Sequence, residues 1–344
     1  MGVKDTITKD YMNDPYVFAD AFNYLMYHGE PVILPEKLHP LDTTVIGVPY
    51  GEDGAVVPVQ KYRDGMKYFS GMTDDTAAYL LLGVELQSRV HYAMPVKDML
   101  YDALQYAAQV EEAAKTHRRE IKEKKNVLPN DAKEKKKPNG GEYLSGFYKD
   151  DKLIPTITLV IFFSSEKWDG PVRLHEMFAV SNEKILEYIP DYKINLITPE
   201  KLSDAQLDQF HTSLREVLLF IKYSKDKEKL YNLVKNDARF HNIKQKAGRV
   251  INAITGAGLK MDESEEYVDM CKAIQDMREE AKLTGKQEGR EEGREEGRQK
   301  EKEEIIIRML KKNIFTYKEI AEIVKTSEEK VKEIEKYENY KESV

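Results

Sequence analysis

The sequence predicts an α/β domain followed by a helical C-terminal extension, on three observations. Two strand-like runs, 56–69 and 77–87, flank a turn. Residues 95–114 repeat apolar residues at helical spacing. "LIPTITLVIFF" (153–163) is an apolar, β-branched run of the kind buried on both faces of a sheet.

Residues 14–29 read as a helix, with Asp14 as cap and Pro15 at its first position. Phe18, Ala21, Phe22 and Leu25 share one face, and Gly29 ends it. A proline-rich connection, 30–44, leads to "VVPVQKYRDGMKYF" and "AAYLLLGVELQ", two strands around the turn "SGMTDD". The helix over 95–114 starts at Pro95, with Met99, Leu100, Ala103, Leu104 and Ala107 as its buried stripe. Residues 115–140 carry ten Lys or Arg against four acids, interrupted by Pro129 and Pro138, so a flexible basic insertion is expected, reaching to about residue 150. "SSEKWDGPVRLHEMF" follows the central strand as an ordered loop anchored by Trp168. Residues 180–280 are mostly helical, and "SDAQLDQFHTSLREVLLFIKYS" (203–224) is the clearest amphipathic helix.

From 285 the composition shifts. "QEGREEGREEGR" (287–298) repeats every four residues. Each glycine costs about 1 kcal/mol of helix propensity against alanine, while each Glu–Arg pair returns only about 0.2–0.5 kcal/mol. A weak, solvated helical linker is expected over 285–303. The tail, 304–338, regains an apolar stripe at Ile305, Ile306, Met309 and Leu310, then two capping boxes, "TYKE" (316–319) and "TSEE" (326–329). This resembles a helix-turn-helix, but its last helix balances acids against lysines, which favours packing or homo-oligomerisation over reading DNA. The expected organisation is a main domain over 1–245, a helical extension over 246–284, then linker and tail.

The net charge of −7 excludes a polycation, so nucleic-acid contact needs local basic patches or a metal bridging to phosphate. The single cysteine, Cys271, excludes an intrachain disulfide. With seven histidines at no ligand spacing, it also argues against zinc. The N-terminal stretch lacks the apolar core of a signal peptide, and the longest apolar run is about half of the ~20 residues that cross a bilayer. A cytoplasmic protein without membrane contact is expected.

One feature of the strand 77–87 is chemical. Side chains alternate faces, so Glu85 and Gln87 project together, opposite Leu80, Leu82, Val84 and Leu86. If the hairpin closes near residue 72, Asp64 meets Glu85 at one sheet edge. Two close carboxylates repel unless a cation separates them, and Mg²⁺ suits one or two carboxylates plus waters and phosphate oxygens. Gln87 does not titrate, so it can orient a water or phosphate but not act as a charged base. An acid at a strand end is more often simply solvated, and His91 beside Tyr92 reads first as a structural hydrogen-bonder. The residues alone leave a metal site the minority reading.

The order "RDGMK", "LLLGVELQSRVHYAMPVKDMLYDALQY", "LIPTITLVIFFSSEKWDGP" resembles the YhgA-like transposase and recombination-promoting nuclease family of the PD-(D/E)XK superfamily. The resemblance covers roughly 10–235 and, less specifically, 285–338. It implies a PD-(D/E)XK restriction-endonuclease-like core, a mixed central sheet flanked by helices. It implies a DNA endonuclease of mobile elements using Mg²⁺ or Mn²⁺. Asp64 and Glu85 match the acids, Leu86 offers its backbone carbonyl to the metal, and Gln87 stands where the superfamily has lysine. Asp20 matches an accessory acid, and Gln105 and Tyr106 lie on the adjoining helix within reach of phosphate. The glutamine keeps a second reading open, a weak or inactive DNA-binding or assembly protein on the nuclease scaffold.

Overall fold

The computed structural model describes residues 3–41, 44–47, 59–62, 64–73, 76–125, 138–262 and 264–342. The elements are, in order, α1 (Val3–Met12), α2 (Pro15–Tyr27), β1 (Leu38–Pro40), β2 (Thr44–Gly47), β3 (Val59–Tyr62), β4 (Gly65–Thr73), β5 (Thr76–Gln87), α3 (Met94–Lys125), α4 (Gly140–Ser145) and β6 (Thr156–Phe162). Then come α5 (Glu183–Leu186), β7 (Asn195–Ile197), α6 (Asp204–Leu207), α7 (Leu214–Tyr223), α8 (Lys227–Asn236), β8 (Ile243–Lys244), α9 (Gln245–Thr255) and β9 (Tyr267–Val268). Three helices close the chain: α10 (Met270–Lys312), α11 (Tyr317–Val324) and α12 (Glu328–Glu342).

The fold is α/β, a mixed five-stranded sheet in the order β1-β4-β5-β6-β7, flanked by helices. β1, β4 and β5 are antiparallel; β5, β6 and β7 are parallel. The hairpin closes at Thr73↔Thr76 and runs to Gly65↔Val84. Alternation gives each face of β5 its own helices. On one face Gly65 and Lys67 meet Phe18 of α2, and their neighbours Leu80, Leu82 and Val84 are buried. On the other face α3 lies over β5 and β6: the Thr158 hydroxyl donates to Asp102 at 2.6 Å, and Met94 packs with Val160, Phe162 and Trp168. Glu85 is on this second face and is 1% exposed, so it sits under a helix rather than at an open edge. Trp168 anchors its loop edge-on against Phe162, as expected.

Several local expectations are revised. α2 keeps its foreseen start, the Asp14 carboxylate accepting from Tyr16 N–H, but closes one residue before the expected Gly29, with His28 in the left-handed conformation. The buried side of α3 is Met94, Pro95, Asp98, Tyr101, Asp102 and Ala114, whereas Leu100 and Ala103 of the expected stripe are exposed. Polar residues lie inward because Asp102 has the Thr158 and Tyr192 hydroxyls as partners. The basic insertion expected to be flexible over 115–150 is helical at 115–125 and again in α4. There His117 stacks on Tyr148 at 3.6 Å and contacts Asp151 at 2.8 Å. Residues 126–137 lie outside the described residues.

The single helix expected over 203–224 is two, α6 and α7. The reason is tertiary: the N–H groups of His211 and Thr212 donate to the Asp20 carboxylate at 2.8–3.1 Å. Those donors are withdrawn from the helix ladder.

The chain divides into a unit ending at Ile274 and a second beginning at Gln275. In the second, the Gly-Arg-Glu-Glu repeat is an exposed stretch of α10, in keeping with a solvated helical linker. Ile306, Ile320, Ala321, Val324, Val331 and Ile334 form a small core of the tail. Thr316 and Glu319 make the expected capping box. At α12 the cap is Ser327, which accepts from Lys330 N–H at 3.2 Å, one residue later than the "TSEE" reading. No helix among the described residues is long and apolar enough to cross a membrane.

Candidate functional site

The hairpin register decides where the acids meet. With Gly65 opposite Val84, Asp64 lies just beyond the ladder, beside Glu85. Leu86 N–H would continue the ladder but donates instead to Asp64 Oδ2 at 2.8 Å. In a strand the N–H and C=O of one residue point to the same side. The Leu86 carbonyl therefore also faces the β4 side, where the ladder has ended. Gln87 C=O points oppositely and accepts from Phe163 N–H at 2.8 Å.

Each acid has an ammonium partner from a different helix. Lys9 of α1 reaches Asp64 Oδ1 at 2.7 Å. Lys97 of α3 reaches Glu85 Oε2 at 2.7 Å. Burial works against the Lys97 charge, but the Glu85 carboxylate outweighs it, with Tyr101 and Asp64 adding, so its pKa is raised. Beside these groups opens a pocket of about 380 Å³, lined by Lys9, Asp64, Leu86, Gln87, Arg89 and Lys97 among others. His91 is also on its wall, and its pKa is lowered by burial and by Lys97, which keeps it neutral at neutral pH.

The structure thus brings Asp64, Glu85, Leu86 and Gln87 together. It places the other candidates elsewhere. Asp20 does not line this pocket. Its two oxygens accept from His211 N–H, Thr212 N–H and the Thr212 hydroxyl, the last at 2.6 Å, which joins α2 to the start of α7. Tyr106 uses its hydroxyl to accept from Thr156 N–H at 3.0 Å, holding α3 to β6. Gln105, one residue before it, is half-buried and does not line the pocket. Sequence reasoning missed Lys97 and Lys9. The available signal for Lys97 was its place in the first turn of the helix that follows Glu-x-Gln. Lys9 carries no signal, because only the packing of α1 brings it to Asp64.

A second cluster was not foreseen at all. His241, Asp269 and Cys271 bring one ligand atom each to within 4.8 Å of one another.

The chain matches no protein family, no curated protein and no solved structure to which it was compared.

Proposed function

We propose that the protein is a metal-dependent DNA endonuclease of the PD-(D/E)XK type, acting in DNA recombination. The observation that carries this reading is the meeting of Asp64 and Glu85 at one end of the β4–β5 hairpin, beside an open pocket and under two lysines. The donor set fits a hard cation. Two carboxylates and a carbonyl facing the ladder's end are oxygen ligands of the kind Mg²⁺ or Mn²⁺ takes, and both acids already attract a positive group. Asp64, Glu85 and the Leu86 carbonyl would hold the ion. The bound ion would acidify a water and draw charge from the phosphate.

The rest of the work falls to the chain. Lys97 brings to Glu85 the ammonium that Gln87 does not provide, and from there it can neutralise a phosphate oxygen. Gln87 donates its amide N–H to a water or phosphate and accepts through its carbonyl, without titrating. Lys9 and Arg89 on the pocket wall add positive charge for the DNA backbone. A cytoplasmic location goes with such a role.

One observation favours the alternative, a DNA-binding or assembly protein without catalysis. Lys9 and Lys97 already neutralise both acids, and in that reading they stand permanently in the ion's place.

Nicking of supercoiled DNA by the full chain with Mn²⁺, together with Mn²⁺ titration, separates the two. Cleavage that Glu85→Gln and Asp64→Asn each lower by about 100-fold or more is expected. Absence of both Mn²⁺ binding and cleavage would leave the assembly reading.

A further inference from the structure

On elements other than the hairpin, three unlike donors converge at the base of α10. His241 ends a short 3-10 turn, Ala238–His241; Asp269 precedes α10; Cys271 is its second residue. His241 Nδ1 is 3.2 Å from Asp269 Oδ2, and the Cys271 sulfur belongs to the same group within 4.8 Å. A tetrahedral zinc with bonds of about 2.0–2.3 Å sets its ligand atoms about 3.3–3.8 Å apart. The cluster is therefore near a zinc-binding geometry, with small side-chain rotations left to make.

The donors are also prepared. Asp269 divides its labour: Oδ1 accepts from Lys272 N–H at 3.0 Å, fixing the carboxylate on the helix start, and Oδ2 faces His241. An outer contact of this kind orients a metal ligand. Cys271 is in no disulfide and is buried, while His241 and Asp269 are about 40% exposed, which leaves an entry path and a position for water. A thiolate at a helix start is favoured by the helix dipole. Nitrogen, carboxylate oxygen and sulfur with one open position are a zinc-type set rather than a magnesium-type one.

The structure assigns His241, Asp269 and Cys271 as a Zn²⁺ site that clips the turn after α8 to the first turn of α10. It is separate from the Asp64–Glu85 site and does not depend on the nuclease reading. Binding displaces the thiol proton and the Nδ1 proton that His241 donates to Asp269, and replaces that hydrogen bond by two metal bonds.

The test is cobalt titration of the full chain after chelator treatment, under reducing conditions, followed by Zn²⁺ competition. Expected are a sulfur-to-cobalt charge-transfer band in the near ultraviolet at one equivalent, its displacement by zinc, and a raised melting temperature with Zn²⁺. Cys271→Ala should abolish the band. His241→Gln, at an exposed position and so without risk to the fold, should weaken Zn²⁺ binding by more than about 100-fold, beyond what losing an outer partner costs. Asp64→Asn should leave the band intact. No band in the wild-type chain, or a band and Zn²⁺ affinity unchanged in His241→Gln, would overturn the assignment.

Discussion

Replacing Lys97 by methionine tests the site without assuming catalysis. Glu85 is 1% exposed and its Oε2 lies 2.7 Å from the Lys97 ammonium, which is 26% exposed. Removing one partner of a buried pair leaves an uncompensated charge and costs about 3–5 kcal/mol. The partial solvent access of Lys97 puts the expected loss near the lower end, about 3 kcal/mol. For a unit of this size each kcal/mol moves the melting temperature by about 2–4 °C, so a drop of roughly 6–12 °C is expected at neutral pH.

The loss has a defined pH dependence. In Lys97→Met the buried Glu85 carboxylate loses its paired ammonium, so protonation relieves an uncompensated charge in the folded state and the variant gains stability as pH falls through the carboxylate range. Its deficit should shrink to little below about pH 4. In the wild type the raised Lys97 pKa has the opposite window: its stabilisation is complete below the ordinary lysine value and is lost only as pH climbs past the raised one. A divalent ion offers a second compensation. Mn²⁺ at 100 times its dissociation constant adds about 2.7 kcal/mol, close to the whole deficit. Urea denaturation at neutral and acid pH, with and without Mn²⁺, reads all of this. Wild-type stability of Lys97→Met at neutral pH, or a deficit that persists unchanged in acid, would refute a charged Glu85 held by Lys97.

Two further substitutions probe contacts that hold the fold together away from the site. Asp20→Asn keeps the shape but turns one acceptor into a donor facing the donors of His211 and Thr212. Hydrogen bonds to a charged group are worth about 1.5–3 kcal/mol, so a loss of about 2 kcal/mol in urea denaturation is expected, with Mn²⁺ affinity unchanged. Gln109 holds Ile154 by both backbone groups, donating to its C=O at 3.0 Å and accepting from its N–H at 2.7 Å. Gln109→Ala should cost about 2 kcal/mol, and Gln109→Glu at least as much, because it turns the donor into an acceptor facing the Ile154 carbonyl. Amide exchange at Ile154 should quicken in step with the loss.

What the sequence disclosed followed from short-range rules. Period-two alternation separated Leu82 and Val84 from Glu85 before any pairing was known, because facing is a property of one strand. The Asp64–Glu85 meeting needed the hairpin register as well: β4 runs on through Met72, expected in the turn, and the hairpin closes at Thr73↔Thr76, which sets Gly65 opposite Val84. The failures are the cases where a distant group decides. The run 203–224 has unbroken helical spacing, and nothing in it tells that Asp20, nearly two hundred residues earlier, takes the N–H groups of His211 and Thr212. The stripe read for α3 left out Asp98 and Asp102, since an acid inside needs a partner, and the partners of Asp102, Thr158 and Tyr192, come from elsewhere. The His241–Asp269–Cys271 cluster shows no ligand spacing because its members are drawn from a turn and a helix start separated by α9 and two strands.

Asp20 and Asp64 show why the same residue type ends in different roles. Asp20 is surrounded by two backbone N–H groups and a hydroxyl, all fixed by the chain. Releasing it would strand buried backbone donors, a cost of about 1–3 kcal/mol for each. Such a carboxylate is committed to structure. Asp64 has one backbone donor, Leu86 N–H on Oδ2, and its other oxygen faces a lysine at the end of a flexible four-carbon stem. An ammonium on such a stem can swing into water, where its charge is well solvated, and leaves no orphaned backbone group behind. The exchange of Lys9 for a divalent ion would therefore cost the fold little, whereas the loss of any partner of Asp20 would not. The nature of the donors around an acid, fixed or detachable, is what separates a cation-binding carboxylate from a structural one. By that measure Asp64 suits the cation-binding role proposed for it, and Asp20 does not.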